Sequence, residues 1–186
     1  MIKVTFDTNI LVEVEENREN KSEILRILEI GQKKKINIGV VAVCAIEKKV
    51  KGQFIDNINE FNSWLVDNNF GSLEIIKTIG RYSIAFWDYC YWGGGKISEL
   101  ERNIYNIIFG KSEIEYITND INNKIWRKNI IDTMIFLGHV YNNRNIFITL
   151  DGHFLKKSVK SELENIYETK VFKPKEFLEF LNIINI

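Results

Sequence analysis

The chain has 186 residues, enough for one domain of ordinary size with a buried core. Hydrophobic residues make up 45% and charged residues 27%, a globular balance; 25 basic against 25 acidic residues leave no net charge for a polybasic attraction to nucleic acid or membrane. Two cysteines without a CxxC pattern (Cys44, Cys90) and two histidines (His139, His153) argue against a disulfide scaffold or a cysteine-based zinc site, so a metal site is expected to use oxygen ligands.

The opening residues MIKVTFD lack a charged-then-apolar leader. The most apolar stretch, 36–46, falls far short of the roughly 20 residues a membrane span needs. The expectation is a cytoplasmic protein with no membrane partner.

Residues 2–6 form a β-prone run ending at Asp7, and 9–15 can begin a helix. Residues 22–34 read as an amphipathic helix with Ser22 as N-cap. A buried strand over 36–43 is followed by a helix from about Ala45 that carries Glu47. Residues 53–66 look helical and 73–78 form a candidate strand. An aromatic-rich segment spans 82–92, ahead of the glycine triplet 93–95. Helices are predicted over 97–109 and 130–141. Residues 146–150 are the clearest strand, ending at Asp151. A last strand lies over 167–172, and Pro174 opens a last helix to Leu181. Alternating strands and helices predict an α/β fold: a three-layer α/β/α sandwich with a mostly parallel central sheet. In such sheets ligands bind beyond the carboxyl ends of the strands.

Asp7 and Asp151 each follow a strand directly. Glu47 falls in the first turns of a predicted helix, and Asp132 in the first turn of another, where the dipole favours an ionised carboxylate. Each acid alone has an ordinary reading: a turn residue, a cap, a helix-start charge or a solvated charge. Together they belong to one rim of one sheet. Clustered carboxylates repel, and a divalent cation relieves the conflict; an all-oxygen donor set suits Mg²⁺ or Mn²⁺.

In order and context these segments resemble PIN-domain nucleases, and toxin-type PIN ribonucleases in particular. Phe6-Asp7-Thr8-Asn9-Ile10-Leu11 resembles their opening, and the Glu47 helix their second acid. Ile131-Asp132-Thr133-Met134-Ile135 resembles their third acid, and Ile148-Thr149-Leu150-Asp151 with Phe154 their fourth. The resemblance covers residues 1–51 and 129–172. It implies a single PIN-like domain over 1–186, with an inserted or divergent segment within 68–125.

By resemblance, Asp7, Glu47, Asp132 and Asp151 are the catalytic, metal-holding residues of a Mg²⁺- or Mn²⁺-dependent endoribonuclease, the metal activating a water. Thr8, Asn9 and Thr149 are candidates for orienting a carboxylate or the substrate. Lys48, Lys49, Arg127, Lys128, Lys156 and Lys157 are candidates for phosphate contact, Lys48 and Lys156 foremost. The implied partner is an RNA substrate. If the chain is the toxin of a toxin–antitoxin pair, a small antitoxin protein joins it.

The aromatic segment 82–92 has three readings: a packed helix, a dimer or inhibitor interface, or a platform for unpaired bases. His153 reads as a surface turn residue. His139, two turns along from Asp132, points to the core. The competing function is a catalytically weak PIN-fold module that binds RNA or protein. A haloacid-dehalogenase-type phosphatase is disfavoured, because it needs a second aspartate where Asn9 stands.

Overall fold

Strand β1 (Lys3–Phe6) is almost wholly buried, as its Val4, Thr5 and Phe6 require of a central strand. The computed structural model describes residues 1–34, 36–50, 53–81, 84–92, 94–110 and 124–184. Tyr82 and Gly93, and residues 111–123 of the expected divergent segment, lie outside them.

The chain runs from β1 into α1 (Thr8–Glu15) and α2 (Lys21–Lys34), then returns as β2 (Asn37–Val41) parallel to β1. A 3₁₀ helix (Ala42–Glu47), a hairpin of β3 (Lys49–Val50) and β4 (Gln53–Phe54), and α3 (Ile58–Asp67) lead to β5 (Glu74–Ile76), parallel to β2. A small parallel pair follows, β6 (Thr78–Ile79) with β7 (Cys90–Tyr91). Then come α4 (Gly95–Phe109) and α5 (Lys124–Tyr141), and β8 (Ile146–Ile148) beside β1. The short α6 (Gly152–Leu155), α7 (Lys157–Tyr167), β9 (Lys170–Phe172) and α8 (Pro174–Ile183) complete the described chain.

The central sheet is parallel, with strand order β5-β2-β1-β8-β9. Helices α1, α2 and α8 pack together, as do α4, α5 and α7, so helices flank the sheet in the expected α/β manner. No described helix is long and apolar enough to cross a membrane. The chain builds outward from β1 to β5, then jumps back to place β8 on the other side of β1. That reversal makes the carboxyl ends of β1 and β8 the topological switch point, where a crevice opens in such sheets.

Polar pins hold the opposite rim. Buried Arg144 donates from Nη2 to the carbonyl of Val4 (2.7 Å) and to Oδ1 of Asn37 (2.6 Å), and from Nη1 to Glu74 (3.0 Å), tying β1, β2 and β5 together. His139 is fully buried, with Nδ1 2.9 Å from the Thr5 hydroxyl and Nε2 2.7 Å from that of Thr169. It therefore faces the core, as the sequence predicts. Gly138 lets α5 approach β2: a Cβ there would lie 2.8 Å from a Val41 methyl.

Several elements differ from expectation. Residues 42–47 wind as a 3₁₀ helix, so Glu47 closes a tight turn instead of riding an α-helix. Residues 53–66 divide into β4 and α3, with Asn57 capping α3 through the N–H of Glu60. Ser22 does not cap α2; its hydroxyl bonds Glu23. Within 82–92, the described residues form a 3₁₀ turn (Trp87–Tyr89) and β7, because pairing with β6 takes up the backbone that a helix would have used. Helix α5 begins by Lys124, so Asp132 lies about two turns in, and the dipole of the first turn gives it no help.

Candidate active site

The backbone N–H of Asp7 still belongs to the sheet, donating to the carbonyl of Ile148 at 3.0 Å. The residue then turns to cap α1: Oδ1 accepts the N–H of Thr8 at 2.7 Å. Its other oxygen accepts Asn9 Nδ2 and Thr149 Oγ1, each at 2.6 Å. Thr149 in turn accepts the N–H of Asp151 at 2.9 Å, and Asn9 Oδ1 accepts the N–H of Leu150 at 3.0 Å. Asp151 caps α6 through the N–H of His153 at 2.7 Å. One network thus locks the exit of β1 to the exit of β8. Asn9 and Thr149 both donate to Asp7, and Thr149 also accepts from the backbone of Asp151.

Glu47 arrives from the 3₁₀ helix after β2, and Asp132 from the buried middle of α5. A cavity of about 280 Å³ is lined by Asp7, Thr8, Asn9, Val12, Glu47, Lys128, Asp132 and Asp151. All four predicted acids therefore meet in one cavity. Glu60, an acid in the first turn of α3 whose carboxylate accepts the N–H of Asp56, lies outside it.

Electrostatic crowding follows. Burial pushes Asp132 up to about 9, and the charges of Asp7, Glu47 and Asp151 add to it, offset in part by Lys128. Burial also raises Asp7 to about 7; the Thr149 hydrogen bond resists, while Glu47 and Asp151 push further. Glu47 is raised by burial, then partly relieved by the Thr8 hydroxyl, Lys128 and Lys48. Burial tends to discharge Lys128, but Asp132, Asp151 and Glu47 outweigh it and raise its pKa. Its Nζ lies 3.5 Å from Asp151 Oδ2.

Two observations bear on a cation. The donors are all oxygen, which suits a hard divalent ion. Thr8 Oγ1 is buried on the cavity wall; it is near enough to Glu47 and Cys44 to bias both, yet no geometric hydrogen bond forms. Against these, no three His, Cys, Asp or Glu side chains among the described residues are gathered closely enough to hold an ion as they stand. The acids share a cavity, but coordination there needs side-chain movement.

The basic candidates separate. Lys48 is only 5% exposed, pairs with Glu15 and lies 4.8 Å from the centroid of the Trp64 ring. It is absent from the cavity wall, so the expected substrate contact is replaced by a buried pin. The side chain of Lys49 lies outside the described residues. Lys156 is exposed and lines a neighbouring cleft. Lys128, one of six basic residues named from sequence, is the one that lines the acidic cavity among the described residues. The signal for it was present: Lys128 and Asp132 are four apart on one helix. His153 is exposed, its ring 5.3 Å from that of Phe109.

No protein-family model matches the chain, and no curated protein matches it. Among solved structures, VapBC2 from Rickettsia felis, bound to a DNA fragment from their promoter, aligns over 92% of this chain and 98% of its own with a TM-score of 0.47 and 16% identity. A likeness at that level carries neither fold nor function.

Proposed function

We propose that this chain is a PIN-type nuclease that hydrolyses RNA phosphodiester bonds with the help of Mg²⁺ or Mn²⁺. The observation that carries this reading is the meeting of Asp7, Glu47, Asp132 and Asp151, from four separate elements, in one cavity at the switch point. The domain is read as one PIN-like unit over 1–186, with its divergent part within 68–125.

An ion held by these four carboxylates would neutralise charge on the scissile phosphate and lower the pKa of a water. The protein's own part is positioning. Asp7 is fixed by three donors, so its orientation is set before any ligand arrives. Thr8 offers a hydroxyl without a hydrogen-bond partner on the cavity wall, suited to a water or a phosphate oxygen. Lys128, whose side chain is 60% exposed, can leave Asp151 and take a phosphate oxygen. No histidine base is required, in keeping with His139 in the core.

The test is cleavage of a labelled mixed-sequence RNA, and of DNA of the same sequence, with Mg²⁺, Mn²⁺ or EDTA. Metal-dependent cleavage lost in both Asp7→Asn and Asp151→Asn supports the reading. RNA preference rests on the sequence resemblance, because a metal-water mechanism does not consume the 2′-hydroxyl. A toxin role, with an antitoxin partner, predicts growth arrest on expression that Asp7→Asn relieves.

A second reading is favoured by the Lys128–Asp151 pair and the lack of a ready-made three-ligand group among the described residues. It is a catalytically weak module that binds RNA or protein. It predicts RNA binding that survives Asp7→Asn, with no metal-stimulated cleavage by the wild type.

A further inference from the structure

Asp7 and Glu47 are held in the acidic cavity by different means. Three donors hold the Asp7 carboxylate. Among the described residues no geometric hydrogen bond holds that of Glu47, and the nearby Thr8 hydroxyl stays unpaired. The place of Glu47 is therefore set by the turn it closes. The next residue, Lys48, ties that turn down.

Lys48 follows in extended backbone (φ −95°, ψ 144°), and its side chain is absent from the cavity wall. Its ammonium pairs with Glu15, the last residue of α1, and lies 4.8 Å from the centroid of the Trp64 ring on α3. Trp64 is itself buried and stacked on Phe61 (6.1 Å) and Phe70 (6.4 Å). The Lys48 backbone is held as well: its N–H donates to Ala45 (2.9 Å) and its carbonyl accepts from Ile55 (3.2 Å). One ammonium thus links the Glu47 turn to two helices. Helix α1 carries Asp7 as its N-cap and Glu15 at its other end, so the first acid and the anchor of the second share one rigid element.

Packing alone does not call for a charge here. Burying an ammonium costs desolvation that the partner carboxylate offsets only in part, and an apolar side chain of similar volume would stabilise the fold at least as well. What such a pair can supply is a choice of one arrangement over others.

We propose that Lys48 is a positioning residue. Paired with Glu15 and set against Trp64, it fixes the turn that presents Glu47, and so sets how tightly the acidic cavity binds a divalent cation. The proposal rests on the nuclease reading for the cation, and it is tested by binding, without cleavage.

The test is Mn²⁺ titration calorimetry of the wild type, Lys48→Met, Glu15→Gln and the double variant, with urea unfolding of each. Met keeps an apolar stem against Trp64, so that variant is expected to fold. Lys48→Met should weaken Mn²⁺ binding about ten-fold. The sign is decisive, because the Lys48 charge reaches Glu47: acting through charge alone, its removal would tighten cation binding. Glu15→Gln keeps the ammonium and breaks the pair, and should weaken Mn²⁺ about five-fold. The double variant should lose about the same ten-fold as Lys48→Met, because both changes break one link. Glu74→Gln breaks the Arg144 pair at the opposite rim. As the control for general destabilisation, it should leave Mn²⁺ affinity within about two-fold.

A folded Lys48→Met with unchanged or tighter Mn²⁺ binding overturns the proposal, and marks Lys48 as a fold stabiliser or a distant charge. So does a loss in Glu74→Gln as large as that in Lys48→Met. A wild type that binds no Mn²⁺ overturns both the proposal and the nuclease reading. Failure of the nuclease reading alone is a separate result: the wild type binds Mn²⁺ and Lys48→Met weakens it, while neither protein cleaves RNA or DNA in any metal.

Discussion

Asp132→Asn should make the metal-free protein more stable, and increasingly so as pH rises. In the fold Asp132 is pushed up to about 9, against an ordinary value of 3.8. Between those limits the folded state keeps a proton that the unfolded state has released. The folded state binds more protons there, so stability falls as pH rises from about 4 to about 9. At pH 7 the full shift corresponds to a ceiling of about 4 kcal/mol, at about 1.4 kcal/mol per pH unit above 3.8. Asp7 shares the crowding and can take up a proton itself, so about half is expected to appear when Asp132 alone is changed. A gain of about 2 kcal/mol raises Tm by about 4–8 °C in a domain of this size. With saturating Mg²⁺ the order reverses: the wild type gains binding free energy that the variant forgoes. Thermal and urea unfolding in EDTA at pH 4.5, 7 and 8.5, repeated with Mg²⁺, would measure this. A variant no more stable than wild type in EDTA at pH 8.5, or one whose advantage is the same at all three pH values, refutes the crowded-cavity argument.

Three other outcomes are expected. Burial holds the imidazole of His139 down to about 3, against 6.5 unfolded; the unfolded state then binds the extra proton, and up to about 4–5 kcal/mol of stability is lost as pH falls from 6.5 towards 3. An NMR titration showing His139 protonating near 6.5 in the folded protein would contradict this. Thr149→Val removes the donor to Asp7 and the acceptor for the Asp151 N–H; it should cost about 1–3 kcal/mol in urea unfolding and weaken Mn²⁺ binding at least ten-fold, and unchanged Mn²⁺ affinity by titration calorimetry would count against a positioning role. Lys128→Met removes the cation beside Asp132, Asp151 and Glu47; Mn²⁺ should bind a few-fold tighter and RNA a few-fold weaker, and shifts in the same direction would refute the exchange of Lys128 between acid and phosphate.

How much of the site the sequence could disclose depends on what fixes each residue. Asp7 and Asp151 sit at the ends of short, buried, β-branched strands. Such runs are recognisable locally, and a parallel sheet sends all their carboxyl ends to one rim. Those two positions need no knowledge of the loops. Glu47 could be placed near the rim but not on its correct turn, because Ala42-Val43-Cys44-Ala45-Ile46 is apolar whichever way it winds. Contact with α5 and α3 accompanies the tight 3₁₀ form. The aromatic segment misled for a related reason. Its spacing suits a helix, while β6, the parallel partner of β7, is separated from it by ten residues of chain, 80–89.

The start of α5 carries the largest consequence. Lys124 to Lys128 contributes little apolar periodicity, so the pattern becomes visible only at Ile130. A helix beginning there would give Asp132 the help of the macrodipole, a fixed stabilisation that no ligand can displace. The helix that begins by Lys124 withdraws that help and supplies Lys128, one turn before Asp132, in its place. A dipole stays where the backbone puts it, whereas an ammonium on a flexible, largely exposed side chain can leave. The third acid is thus crowded, buried and balanced by a removable charge, whose place a divalent cation would take under the proposed nuclease reading.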